Sequence, residues 1–332
     1  MENIPLYPLL FQPVYKDYIW GGNKIALQYK RGLPPGIYAE SWEIADRPEG
    51  MSKAINGPLA GRDLFSLMKL YGEKLTGRAA SRPGAEFPLL IKIIDAKEKL
   101  SVQVHPDAAG ARDTGGDPKT EMWYVLAAEP QAKVYAGLKP GVTAASFKDA
   151  LAKGKAGELL QDTPVARGDV IFIPGGRVHA IGQGCLLLEV MQNSDTTFRL
   201  FDWNRVGRDG QPRALQINKA LKVIRWDDSV APKVDLSKHP LQFDRDGNAT
   251  AELLGTPFFR FEKMVVAKPL VCATEGRTFH ILFVEEGSAE LVYDSEKMRL
   301  ESGMTALVPA ALSKYSLTPR KGTATILRIS LP

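Results

Sequence analysis

The sequence predicts a mainly β fold: antiparallel sandwiches or barrels with a few peripheral helices. Three observations carry that reading. Short apolar or alternating runs recur along the chain, helical patterns are few and do not alternate with them, and 30 glycines and 23 prolines supply the punctuation that many turns require.

The runs lie at 89–94, 122–126, 170–173, 186–191 and 197–201, and resume at 259–266, 278–285, 289–293, 305–308 and 324–329. Most are bounded by Gly, Pro, Asp or Asn, as strands closed by turns are. Three helices are expected. At 63–70, Leu64, Leu67 and Met68 share a face; at 146–153 the segment follows a Thr143 cap and stops at Gly154; at 214–224, Leu215, Ala220, Leu221 and Ile224 recur at helical offsets. Residues 227–248 are rich in charge, Pro and Gly with little periodicity. A boundary is therefore expected there, giving domains 1–225 and 226–332.

The composition is ordinary for a globular chain: 332 residues, 44% apolar and 24% charged. Lys and Arg number 43 against 38 Asp and Glu, a formal charge of +5 with both signs interspersed. That excess is too small to indicate a nucleic-acid partner, and it is compatible with a small anionic substrate. Cys185 and Cys272 can form at most one bridge, so no disulfide framework is expected. The first twenty residues lack a basic start leading into an apolar stretch, and no uncharged run approaches the ~20 residues of a membrane span. The expectation is a cytoplasmic protein without a membrane partner, monomeric or weakly dimeric. GxGxxG opening a βαβ unit and GxxxxGK[ST] are both absent, so those nucleotide-binding routes have no support.

The chemistry concentrates in two places. In GDVIFIPGGRVH, residues 168–179, an apolar strand runs into a Pro-Gly-Gly turn that lets His179 point into a barrel mouth. Upstream, period-2 alternation sends Ser101, Gln103 and His105 to one face and Val102 and Val104 to the other, an economical way to build a metal site on a rigid strand. Glu121, just before the run at 122–126, offers a carboxylate.

The spacing of Gly168, Pro174, Gly176 and His179 resembles the second cupin motif, and Gln103-Val104-His105 resembles the first, with Gln in place of its leading His and an insertion before Glu121. Five ordered stretches are more specific: Ile19-Trp20-Gly21-Gly22, Glu40-Ser41-Trp42-Glu43-Ile44, Leu100-Ser101-Val102-Gln103-Val104-His105-Pro106-Asp107, Lys119-Thr120-Glu121-Met122-Trp123-Tyr124, and Ser194-Asp195-Thr196-Thr197-Phe198-Arg199 continuing to Trp203. Together they closely resemble the type I phosphomannose isomerase family in its shorter bacterial form, strongly over 5–225 and more weakly to the C-terminus. The resemblance implies two cupin-like jelly-roll sandwiches. The second is degenerate: after Gly303 and Pro309, Ala311 and Lys314 stand where the motif has glycine and histidine. Departures are Gln183 where Asn is usual, and the absence of a long helical insertion that walls the pocket of larger members.

The same resemblance implies one zinc ion per chain on Gln103, His105, Glu121 and His179, and reversible conversion of mannose 6-phosphate to fructose 6-phosphate through a cis-enediol. Such chemistry needs a base near C1 and C2, positive charge for the enediolate, and a phosphate anchor. Arg199 matches the family's active-site arginine; a structural salt bridge to Asp195 or Asp202 is its other role. Lys119 is a proton-transfer candidate, with a lowered pKa expected beside zinc and Arg199; Glu40, Glu43 and a zinc-bound water compete with it. Ser101 and Lys92 match family positions at the phosphate end, although Lys92 can also snorkel from its apolar strand. Two other readings stay open: an isomerase of unphosphorylated aldoses or other sugar phosphates, and a non-catalytic sugar-binding cupin. Trp20, Trp42, Trp123 and Trp203, with His280, are expected to be structural.

Overall fold

Strands need a partner on each hydrogen-bonding edge and a cover for their apolar face, and the chain meets both needs with packed antiparallel sheets. The computed structural model describes residues 4–80 and 85–332. Each run singled out above forms a strand, with ends moved by at most two residues: Leu89–Ala96, Glu121–Ala128, Val170–Ile173, Cys185–Gln192 and Phe198–Phe201, then Arg260–Val266, His280–Glu286, Ser288–Tyr293, Thr305–Val308 and Ala324–Ser330.

Two of the three expected helices start at their caps. Asp63 accepts from Ser66 N at 2.7 Å ahead of Leu64–Tyr71, and Thr143 forms a capping box with Ser146 ahead of Ala144–Ala152. The third is shorter than expected, Ile217–Val223. Its intended first turn is diverted: the Ala214 carbonyl and the Gln216 side chain both accept hydrogen bonds from Arg199. The strand Glu40–Ile44 and the helix Ala108–Thr114 had too little apolar periodicity to be read from sequence. The helix rests on an Asp107 cap that accepts from Gly110 N at 2.8 Å.

Two compact units result. One comprises Tyr15–Ser41 and Ile91–Val234. Its five-stranded sheet includes Lys133–Leu138, His179–Ile181, Val102–Val104 and Phe198–Phe201 in that order, and a second sheet sets Val170–Ile173, Glu121–Ala128, Cys185–Gln192 and Leu89–Ala96 side by side. Ile94, Trp123, Val125 and Leu187 from the second sheet pack with Val134, Ala136 and Ile181 from the first, so this core lies between the sheets. The other face of the five-stranded sheet (Val102, Val104, Phe198) is covered by Phe147, Ala220 and Val223 from the helices.

The other unit comprises Met1–Val14, Trp42–Leu90 and Asp235–Pro332. An eight-stranded and a four-stranded sheet enclose Met264, Leu282, Val284, Ala306 and Ile326 against Ala289, Leu291, Leu300 and Leu317. His280 is buried in it, with its Nδ1 2.8 Å from the Tyr315 hydroxyl.

These units do not follow the linear cut at 225/226. Residues 226–234 stay with the first unit because buried Arg177 donates to both Asp228 carboxylate oxygens, at 2.6 and 2.8 Å, and to the Val230 carbonyl. The Phe172 N–H donates to the Pro232 carbonyl at 2.8 Å. A charged, proline-rich stretch reads as a linker, yet an arginine that takes its carboxylate and carbonyl makes it part of the packed structure. Residues 9–12 join the C-terminal strands by pairing, with Leu9 opposite Leu307.

Candidate active site

Three neighbouring strands of the five-stranded sheet align the first elements. Gln103 lies directly opposite His179 on one side and Arg199 on the other, so all three side chains project from one face. Val102 and Val104 alternate to the helix-covered face, which leaves Gln103 directed between the sheets. Glu121 comes from the facing sheet, where it opens its strand opposite Ile173 and Met191. The Pro174-Gly175-Gly176 turn brings His105 and His179 together: Gly176 N donates to the His105 carbonyl at 2.8 Å. Gly176 has φ +90, and a Cβ on Gly175 would sit 2.8 Å from the Asp107 backbone.

His105, Glu121 and His179 are buried, with ligand atoms within 4.8 Å of one another. His105 Nε2 is 3.4 Å from Glu121 Oε2, and His179 Nε2 is 3.5 Å from Glu121 Oε1. Each imidazole spends its Nδ1 proton on a carbonyl at 2.9 Å, that of Thr196 for His105 and that of Arg177 for His179. A carbonyl only accepts, so both Nε2 atoms turn a lone pair to the centre. Burial holds both imidazoles neutral, His105 below its ordinary value and His179 at about 3. Burial opposes the Glu121 charge, but Lys119 together with His105 and His179 keeps the carboxyl well below the usual range.

His105 Nε2 and Glu121 Oε1 are buried without a hydrogen-bond partner, and Glu121 Oε2, likewise without a hydrogen bond, has the Lys119 ammonium 3.0 Å away. Orphaned acceptors converging from two sheets are costly unless a cation satisfies them. Two neutral nitrogens and one carboxylate therefore fit a divalent metal. Gln103 adjoins them, its Nε2 3.2 Å from His179 Nε2 and its Oε1 accepting from Ser101 at 3.3 Å.

The other predicted residues gather around this centre. Lys119 is buried, with Nζ 3.0 Å from Glu121 Oε2, and is not a solvated loop lysine. Arg199 donates from Nε to Ser101 Oγ at 3.2 Å and from Nη1 to the Ala214 carbonyl at 2.9 Å. It makes no carboxylate pair among the described residues: Asp202 is taken by Arg205 and Arg213, and Asp195 lies 3.6 Å from Lys92. Lys92 also meets Glu40 at 3.3 Å; burial opposes its charge, but Glu40, Glu189 and Asp195 raise its pKa. Glu43 belongs to the other unit and accepts from Thr305 Oγ1 at 3.1 Å. Lys92, Ser101, Gln103, Lys119 and Arg199 line one pocket of about 280 Å3, together with Tyr18, Trp20, Glu40 and Arg213.

A model of the type I phosphomannose isomerase catalytic domain matches residues 9–145, and one of the mannose-6-phosphate isomerase cupin domain matches 249–331. The mannose-6-phosphate isomerase of Streptococcus mutans is 32% identical over 93% of this chain and 94% of its own length. The chain belongs to the type I phosphomannose isomerase family. Mannose-6-phosphate isomerase ManA of Bacillus subtilis is likewise 32% identical, over 93% of this chain and 95% of its own. The crystal structure of the mannose 6-phosphate isomerase from Bacillus subtilis superposes with a TM-score of 0.87 at 28% identity, covering 97% of this chain and 99% of that one. Membership makes the chain an isomerase of cupin architecture, and the likeness runs through the C-terminal jelly roll, beyond the strong motifs of 5–225.

Sequence reasoning passed over Glu189 and Arg213. Glu189 lines the pocket from a buried strand and accepts from Trp123 Nε1 at 3.0 Å; burial and the Glu121 carboxylate push it up to about 7. Its signal was available: like Lys92, it interrupts an otherwise apolar run, Leu186-Leu187-Leu188-Glu189-Val190-Met191. Arg213 has no such signal, since it sits in a loop of unremarkable composition. Among the described residues, no helix is long and apolar enough to cross a membrane.

Proposed function

We propose that this chain interconverts mannose 6-phosphate and fructose 6-phosphate with one zinc ion, held by Gln103, His105, Glu121 and His179. The observation that carries this reading is the buried donor set with orphaned acceptors at a polar pocket that Lys119 and Arg199 also line. Zinc bound there supplies Lewis-acid polarisation of substrate oxygens.

The chain's own groups account for the rest. In the open-chain aldose, a base takes the C2 proton; the C–H electron pair forms the C1–C2 double bond, and the carbonyl pair moves onto O1 as the cis-enediolate. Return of that proton to C1, with the O2 proton passed to O1, gives the ketose. Lys119 is the proposed proton carrier: its neutral amine takes the C2 proton, and the resulting ammonium, held 3.0 Å from Glu121 Oε2, returns it to C1. Arg199 sets a permanent cation beside the developing oxyanion, oriented by Ser101 and the Ala214 carbonyl. Ser101 and Lys92 are the proposed substrate-facing groups of the wall. A cytoplasmic setting accords with such a metabolic substrate.

The test is a coupled assay in both directions, with and without chelator. Chelation is expected to abolish turnover and zinc add-back to restore it; turnover that survives complete metal removal refutes the zinc assignment. Lys119→Met is expected to lower kcat about 100-fold or more with metal content unchanged. Full activity in that variant eliminates Lys119.

A further inference from the structure

The pocket is polarised. Around Lys92 stand Glu40 at 3.3 Å and Asp195 at 3.6 Å, with Glu189 as a further buried carboxyl on the wall. One ammonium among these groups leaves no excess positive charge for an anion.

The wall that carries Arg199 and Arg213 is different. Asp202 accepts two bonds from Arg213, at 2.8 and 2.6 Å, and one from Arg205 at 2.6 Å. Arg205 also reaches the exposed Glu98 at 3.8 Å. Three guanidiniums thus face two carboxylates, and Arg199 pairs with neither. Arg213 commits Nε and Nη2 to Asp202, and Arg199 commits Nε and Nη1 to Ser101 and Ala214. Among the described residues, Arg213 Nη1 and Arg199 Nη2 have no partner, so each guanidinium keeps an N–H face for a ligand. Burial and then the Arg213 charge hold Arg199 below its ordinary pKa, against the opposing pull of the Asp202 carboxylate. Arg199 touches Ser101, which touches Gln103, whereas Arg213 is the residue before Ala214. Along the wall the order is therefore metal ligand, Arg199, Arg213.

We propose that Arg213, braced by Asp202, anchors the phosphate dianion of the substrate, and that Lys92 does not. This rests on the sugar-phosphate reading above. It gives the substrate a direction, with its carbonyl end toward Gln103 and its phosphate toward Arg213. Guanidinium forks suit phosphate oxygens, and a fork held rigid by a carboxylate loses little freedom on binding.

The test uses the zinc-loaded enzyme, with mannose 6-phosphate and mannose as substrates and inorganic phosphate as competitive inhibitor and calorimetric titrant. Arg213→Gln leaves Asp202 paired with Arg205, so the carboxylate is not orphaned. It is expected to raise both KM for mannose 6-phosphate and the phosphate constant about 10- to 100-fold. Loss of kcat/KM on mannose, which has no phosphate, is at least about tenfold smaller. Lys92→Gln is expected to leave the phosphate constant near its wild-type value, because Glu40 and Asp195 already take up the ammonium charge. If Arg213→Gln does not fold, Arg213→Lys replaces it and is expected to weaken phosphate several-fold, because the fork is lost. Unchanged phosphate affinity in the Arg213 variant, or the large shift in Lys92→Gln instead, overturns the assignment while leaving the isomerase reading intact. Arg213-dependent phosphate binding in a wild type that does not turn over mannose 6-phosphate supports the subsite and refutes the reaction.

Discussion

Glu121→Gln is expected to reduce both bound zinc and turnover by at least about 100-fold, since loss of even an outer-sphere partner costs a metal site about 10- to 100-fold. The substitution keeps the shape and removes the only carboxylate of the buried His105–Glu121–His179 group. It also strands Lys119, whose ammonium lies 3.0 Å from Glu121 Oε2 inside the protein. Breaking a buried ion pair on one side costs about 3–5 kcal/mol, so the variant should also melt early. The double variant Glu121→Gln/Lys119→Met removes both charges and is expected to regain most of that stability while remaining without metal. Metal content by mass spectrometry, measured beside thermal unfolding, separates the two effects. A folded Glu121→Gln protein that retains full zinc occupancy would falsify the ligand assignment.

Arg199→Ala carries the second large effect. A preorganised donor aimed at a developing oxyanion contributes about 10²- to 10³-fold to kcat, and a loss of that size is expected with zinc content unchanged. Arg199→Lys should recover less than about tenfold of it. An ammonium cannot hold Ser101 Oγ and the Ala214 carbonyl together, and these two contacts aim the guanidinium. Wild-type kcat in Arg199→Ala would mean that the residue only shapes the wall.

The strands were legible because their apolar runs are short, regular and closed by turn residues; Leu89–Ala96 and Thr305–Val308 are examples. The candidate metal centre, His105, Glu121 and His179, has signals of a different kind. Period-2 alternation fixes which face Gln103 takes, and the Pro-Gly-Gly turn before His179 has a sequence signature of its own. The helix expected at 214–224 is shorter in the structure because a local pattern cannot register that Arg199, some fifteen residues upstream, claims the Ala214 carbonyl and the Gln216 side chain.

The sequence by itself determined the β class, the order of the elements and the residue types that meet at the centre. Those properties are local, written in periodicity, turns and spacing. Which charges stay available was decided by the tertiary structure alone. Lys92 and Arg199 are both lone cations near apolar strand residues, yet Lys92 folds against Glu40 and the sequence-distant Asp195 while Arg199 donates to Ser101. The division of the chain was likewise a matter of packing, since Arg177 draws Asp228 and Val230 into the site-bearing unit. Pairings between residues 50 or more positions apart depend on which surfaces the sheets bring together, and no window of sequence contains that information.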